Sequence, residues 1–197
     1  IGDTLTFGFK IRFTNASATN DATAFRFGIY NSNSTPVTGD NYAAAVANTD
    51  LGYGAVLGKG LSAAAGVTIF NEAGTVADTP ILGGNDRVFL TASGAGPNIG
   101  AADVAAHTVS LTLTRTSVGL MSISYTFDGT TITTTNSSGI RDSFDQIVFG
   151  TGFGATPVSF NIDDVTLDAS NFTVIPEPSS AMLLGLAGMG LLVRRRK

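Results

Sequence analysis

The amino-acid sequence predicts an all-β fold, and three of its features support that prediction. Apolar and polar residues alternate over several stretches, Gly, Pro, Asn, Asp and Ser cluster between those stretches, and no segment before the C-terminal tail has a sustained helical period. The first stretch, TLTFGFKIRF at residues 4–13, places five large apolar side chains on one side and polar or small residues on the other. A period of two over this length predicts a half-buried strand.

The same alternation predicts further strands along the chain. They are AFRFGIY, VTIF, DRVFLTA, HTVSLTLTRT, LMSISYTF, TTITT, FDQIVFG and VSFNIDDVTLDA. Asp128 and Gly129 separate two of these runs, and an Asp-Gly pair in that position predicts a tight β-hairpin because both turn residues need positive φ. The Ala-rich pieces NYAAAV and LSAAAG are predicted to form at most one helical turn each, since glycines flank them.

Eight or more short antiparallel strands, each with one apolar face, must bury those faces against a second sheet. A jelly-roll β-sandwich over residues 1–172 satisfies this requirement. An immunoglobulin-like sandwich is the main alternative, but such domains have only about 100 residues.

Three stretches carry a resemblance to a known superfamily. The first strand LTFGFKIRF, the hairpin MSISYTFDGTTI and the closing strand FNIDDVTL resemble the concanavalin A-like lectin and glucanase jelly rolls, including their carbohydrate-binding modules. The resemblance implies that the first and last strands pair in one sheet, so that the chain ends lie side by side.

Composition and charge restrict the partners. Charged residues make up only 13%, against roughly 25% in a typical soluble domain, so Thr, Ser, Asn and Gly must cover much of the surface. Four of the 11 cations are the last four residues and one of the 15 acidic residues is Glu177, which leaves 7 cations and 14 acids elsewhere. Such an acidic body excludes a nucleic-acid partner, and the absence of cysteine excludes disulfides and thiolate metal sites.

The sequence argues against an enzyme, although a glycoside hydrolase-like activity is kept as an alternative. Glycosidases of the resembling superfamily place two Glu residues on one strand, whereas this chain has only Glu72, in a predicted turn, and Glu177, in the tail. Asp163 and Asp164 are adjacent on a strand and point to opposite faces unless a bulge intervenes. His107, the only histidine, is predicted to be a surface residue at a strand end.

Two kinds of binding site have candidate residues. Exposed aromatic rings can stack on sugars, and Tyr30, Tyr42 and Tyr53 lie near predicted loops. Calcium requires six to eight oxygen ligands, and the candidates for that ion are Asp163, Asp164 and Asp168 in the closing strand. No other cofactor is predicted.

The C-terminal tail has three features in a fixed order. Pro176, Glu177 and Pro178 form an extended motif, an uncharged apolar run follows to Val193, and Arg194, Arg195, Arg196 and Lys197 end the chain. The run has about 15 residues, somewhat fewer than the roughly 20 of a typical membrane-spanning helix. An apolar run before a basic cluster is a stop-transfer pattern, which predicts a single transmembrane helix with the cations in the cytoplasm.

This order is similar to the PEP-CTERM sorting signal of Gram-negative bacteria that produce extracellular polysaccharide. The resemblance covers residues 173–197 and implies recognition by exosortase, a membrane protease. We therefore expect an exported protein that is first anchored in the inner membrane and then reaches the cell surface or extracellular matrix. Its sandwich is expected to bind polysaccharide without catalysis, and a self-associating structural protein and an unprocessed membrane anchor are the alternatives.

Overall fold

The computed structural model describes residues 1–14, 21–34, 36, 50–59, 68–72, 87–90, 99–100, 102–151 and 159–171. Over these ranges the chain forms ten β-strands and no helix. The strands are β1 (Thr4–Phe13), β2 (Asp21–Asn31), β3 (Leu51–Lys59), β4 (Thr68–Glu72), β5 (Arg87–Phe89), β6 (Ala106–Ser117), β7 (Leu120–Phe127), β8 (Thr130–Asn136), β9 (Gln146–Thr151) and β10 (Phe160–Ser170). The Ala-rich pieces and the tail lie outside the described residues.

The strands form two antiparallel sheets of five strands each, which confirms the predicted all-β class. The β1 sheet has the order β10-β1-β6-β7-β8, and the β2 sheet has the order β5-β4-β3-β2-β9. Their inner faces meet in an aromatic core, where the Phe9 ring lies 4.9 Å from the Phe27 ring and 5.0 Å from the Phe149 ring. The finer assignment to a concanavalin A-like jelly roll remains a prediction.

The first and last described strands pair with each other, as the resemblance implied. β1 lies between β6 and β10, and Asn171 donates from Nδ2 to the carbonyl of Gly2 at 3.0 Å. A β-bulge interrupts the β1–β10 register, because Gly8 pairs with Thr166 while Lys10 pairs with Asp163. The two ends of the described body therefore lie side by side.

This bulge decides which side chains of β10 face the core. Ile162 pairs with an inward residue of β1, and so does Leu167, although an odd separation would place them on opposite faces of a regular strand. The extra residue sits at Asp164, whose φ of 51° lies in the left-handed region. Because of this bulge, Asp163 and Asp164 need not point to opposite faces of the sheet, as they would in a regular strand.

The predicted hairpin between β7 and β8 is confirmed. Asp128 and Gly129 have φ values of 44° and 82°, the positive pair that a type I′ turn requires. The hairpin is tied to β6, since the Asp128 amide donates to the carbonyl of Thr108 at 2.9 Å.

The outer faces of the two sheets differ in exposure. Arg26, Tyr30 and Glu72 point away from the core on the β2 sheet, and all three are buried. A Cβ atom on Gly54 would lie only 2.5 Å from the Tyr30 hydroxyl and from the Phe70 ring, so glycine makes room for these rings. The outer face of the β1 sheet, by contrast, consists of half-buried and exposed positions.

Candidate functional site

The outer face of the β1 sheet is an array of hydroxyl groups, which we call the hydroxyl face. It comprises fifteen positions in three rows that cross all five strands, and thirteen of them are Thr or Ser. The rows are Thr135, Ser122, Thr114, Thr4 and Ser170; Thr133, Ser124, Thr112, Thr6 and Asp168; and Thr131, Thr126, Ser110, Gly8 and Thr166. The alternation that places the apolar residues of β1, β6 and β7 in the core places these residues outside.

Hydrogen bonds across the strands connect neighbouring hydroxyls of this face. The pairs are Thr4 with Thr114 at 3.3 Å, Thr6 with Thr112 at 3.2 Å, Ser124 with Thr133 at 2.9 Å and Thr126 with Thr131 at 2.8 Å. One hydroxyl of each pair donates to the other, so a pair retains one O–H donor and free lone pairs, except that Thr4 also donates to the carbonyl of Gly2 at 3.4 Å. Because Thr is β-branched, its χ1 angle is restricted and the hydroxyls are held in place.

Charge is confined to the margin of the hydroxyl face. Asp168 is the single ionisable residue among the fifteen positions. Beyond the third row, Lys10 forms a salt bridge with Asp164, and this bond and the charge of Asp164 raise the pKa of Lys10. Arg12 donates from Nε to the carbonyl of Val104 at 2.9 Å. The centre of the face is therefore polar and uncharged.

A second feature, which we call the edge cleft, lies at the edge of the sandwich where the terminal strands of the two sheets, β9 and β10, are on the same side. It has a volume of about 630 Å³ and a mainly apolar lining. The apolar lining residues are Leu5, Ile29, Phe144, Ile147, Leu167 and Ala169. Leu167 is 53% exposed although it points inward, and β9 and β10 are the terminal strands of their sheets.

Polar residues hold the rim of the edge cleft in place. Asp145 accepts hydrogen bonds from the amide and the hydroxyl of Ser32, each at 2.7 Å. The next residue, Gln146, donates from Nε2 to Asp50 at 3.1 Å. Burial raises the pKa of Asp50 to about 6. The hydrogen bond from Gln146 acts to lower this pKa, whereas the charge of Asp145 raises it further.

His107 was predicted to be a surface residue, and this prediction was wrong. The residue is only 9% exposed, its ring stacks on Phe127, and Nδ1 lies 2.7 Å from the Asp128 carboxylate. Burial of Asp128 acts to raise its pKa, but hydrogen bonds from His107 and Thr108 outweigh it and lower that pKa. The histidine thereby fastens β6 to the β7–β8 hairpin.

Two of the three tyrosines proposed for sugar stacking are buried, Tyr53 in the core between the sheets and Tyr30 on the outer side of the β2 sheet. Tyr30 and Tyr53 are fully buried, and a ring without an exposed face cannot stack on a sugar in this conformation. The Tyr53 hydroxyl accepts from Asn136 Nδ2 at 3.2 Å and from the Arg141 amide at 3.0 Å. Tyr42 lies outside the described residues.

The three aspartates proposed for calcium are spread along β10. Asp164 is engaged with Lys10, Asp163 accepts a hydrogen bond from the Asp164 amide at 2.8 Å, and Asp168 pairs with Thr6 on the hydroxyl face. Within the described ranges, no group of three or more His, Asp or Glu side chains is placed to hold a metal ion.

The tail supplies the comparison with known proteins. Residues 174–197 match the PEP-CTERM protein-sorting motif, which includes Pro176, Glu177 and Pro178 as well as the terminal cations. No curated protein and no solved structure matches the chain. Among the residues that the structure describes, no helix is long and apolar enough to cross a membrane, and the tail itself lies outside them.

The chain thus joins an all-β, sandwich-like body to a PEP-CTERM sorting motif. It is an exported protein whose precursor is anchored in the membrane before exosortase processes it.

Proposed function

We propose that the protein is a non-enzymatic component of the cell surface or extracellular matrix whose β-sandwich binds extracellular polysaccharide. The observation that carries the proposal is the sorting motif at residues 174–197, which follows the all-β body directly. In this proposal the apolar segment spans the inner membrane, residues 194–197 stay in the cytoplasm, and Glu177 lies in the segment that exosortase recognises.

The chemistry of the body supports an uncharged polymer as its ligand. Only 13% of the residues are charged, and the solvent-facing side of the β1 sheet presents Thr and Ser. A neutral polyol binds such a surface with little cost in electrostatic free energy. A polyanion, by contrast, would be repelled by a body with an excess of acidic residues. Glu72 is 4% exposed and Glu177 lies in the tail, which supports a function without the paired carboxylates of glycoside hydrolysis.

A structural role through self-association is the second candidate, and the edge cleft favours it. Exposed apolar side chains beside unpaired strand edges are a common basis for contacts between chains. Here Leu167 and Val165 are both about half exposed along β10.

Affinity electrophoresis and sedimentation velocity on the same preparation separate the two candidates. A polysaccharide-binding protein is retarded in a native gel that contains neutral polysaccharide and sediments as one monomeric species. A structural protein shows no retardation and sediments as larger species at higher concentration. Release of reducing sugar from any of the polysaccharides would contradict the non-enzymatic proposal.

A further inference from the structure

We propose that the hydroxyl face is the surface that binds polysaccharide, and that its ligand is a neutral chain lying across the strands of the β1 sheet. This inference rests on the proposed function and adds the site and the charge class of the ligand. It replaces the tyrosine platform that the sequence suggested, since Tyr30 and Tyr53 are buried.

The dimensions of the face fit an extended polymer. Neighbouring strands are about 4.8 Å apart, so a row of five positions spans about 19 Å, and successive rows are about 6.7 Å apart along a strand. Each of the three rows crosses the whole sheet, from Thr135, Thr133 or Thr131 on β8 to the matching position on β10. A chain that follows such a row meets a hydroxyl at nearly every strand.

The hydrogen-bonding character of the face matches that of a sugar. Sugar hydroxyls both donate and accept, and the bonded pairs in the middle and third rows, such as Thr126 with Thr131, keep a donor and free acceptor lone pairs. Direct or water-mediated bonds can therefore form in either direction. Because Asp168 is the single ionisable residue among the fifteen positions of the hydroxyl face, the face favours a neutral chain over an acidic one.

Strand propensity alone does not explain this distribution of threonine. Thr is favoured in strands, and cross-strand Thr pairs stabilise a sheet. The same propensity applies to the β2 sheet, yet the outward positions of β2 and β3 carry Arg26, Gly28, Tyr30, Gly52, Gly54 and Val56. Among the described residues, the hydroxyls are concentrated on the outer face of the β1 sheet, whose positions are half-buried or exposed.

Valine substitution separates a binding role from a structural one, because valine keeps the shape and strand propensity of threonine and removes the hydroxyl. The test variant is Thr126→Val/Thr131→Val, in the third row. The matched control is Thr130→Val, which alters the neighbouring residue of β8 on the opposite face of the sheet. A second variant, Thr6→Val/Thr112→Val/Thr133→Val, removes three hydroxyls of the middle row.

Dissociation constants are measured by affinity electrophoresis in dextran, galactomannan and alginate, and the fold is checked by thermal unfolding. With a neutral polysaccharide, we expect about tenfold weaker binding for the double valine variant, which corresponds to about 1.4 kcal/mol of lost hydrogen bonding, and a larger loss for the triple variant. The control and a Thr126→Ser/Thr131→Ser variant should bind as the wild type does.

The outcomes distinguish failure of this inference from failure of the proposed function. If the wild type binds a neutral polysaccharide and both valine variants bind equally well, the hydroxyl face is not the site, although the proposed function stands. Equal losses in the Thr130→Val control or in the serine variant would overturn the inference as well. If the wild type binds only alginate, the neutral-ligand assignment is wrong, and if it binds none of the three, polysaccharide binding itself fails.

Discussion

Substitution of Asp50 by Asn should stabilise the protein at neutral and alkaline pH. Asp50 precedes β3, is 2% exposed, and has one carboxylate oxygen bonded to Gln146 and the other without a hydrogen-bond partner. Burial disfavours its charged form, which raises its pKa from 3.8 to about 6 in the folded protein.

The pH dependence of stability follows from the difference between the pKa of Asp50 in the folded protein and in the unfolded chain. Between pH 3.8 and about 6 the unfolded chain loses the Asp50 proton while the folded protein keeps it, so the free energy of unfolding falls as pH rises. The difference in pKa corresponds to about 3 kcal/mol once the pH exceeds both values. Asn avoids this loss, but its buried amide lacks a partner at a cost of roughly 1 kcal/mol, which leaves a net gain of about 2 kcal/mol.

Urea unfolding of the purified wild type and the Asp50→Asn variant, followed by circular dichroism, measures this gain. The variant should be more stable at pH 8, and the advantage should disappear by pH 4, where Asp50 is protonated in the folded protein. A difference between the two proteins that stays the same from pH 4 to pH 8 would refute the assignment of a raised pKa to Asp50.

Two further predictions concern the hairpin and the β2 sheet. Asp128→Asn should destabilise the protein above pH 3.8. Because the folded pKa of Asp128 lies below that value, the variant's deficit in free energy of unfolding should shrink as the pH falls further. An equal deficit at about pH 6 and about pH 3 in urea unfolding would contradict this. Gly54→Ala should lower the free energy of unfolding by about 1–3 kcal/mol, because the new methyl group meets the buried Tyr30 and Phe70 rings. Gly100→Ala is its control, with no atom closer than 3.8 Å to the added Cβ, and equal unfolding midpoints for these two variants would refute the packing argument.

Strict alternation allowed most of the fold to be predicted from the sequence. β1, β6 and β7 have their large apolar residues at every second position, and the structure buries nearly all of them. β3 was missed because its outward positions include Gly52 and Gly54, which give no polar signal between the inward residues. Those glycines are required by the Tyr30 ring that lies against them, a tertiary contact that no local pattern contains.

The site was harder to predict than the fold. The repeated threonines in HTVSLTLTRT and TTITTT are visible in the sequence, but their arrangement in rows depends on the register of five strands, which include the first and the last described strands, β1 and β10. Tyr30 and Tyr53 were candidates for sugar stacking because they lie near predicted loops, whereas both are buried in the structure. The sorting motif was predictable because its recognition depends on local order along the chain, at residues 174–197.

The central claim is that the tail is a processed sorting signal, and mass spectrometry of the mature protein from its native host tests it most directly. Wild type, Glu177→Ala and the control Met189→Leu, which preserves the apolar run, would be recovered from the medium, cell surface and membrane. We expect the wild type and the control to lack the C-terminal peptide that ends in residues 194–197, and the Glu177→Ala variant to retain it in the membrane fraction. An intact C-terminus in the membrane fraction of all three proteins would show a permanent anchor and contradict the account.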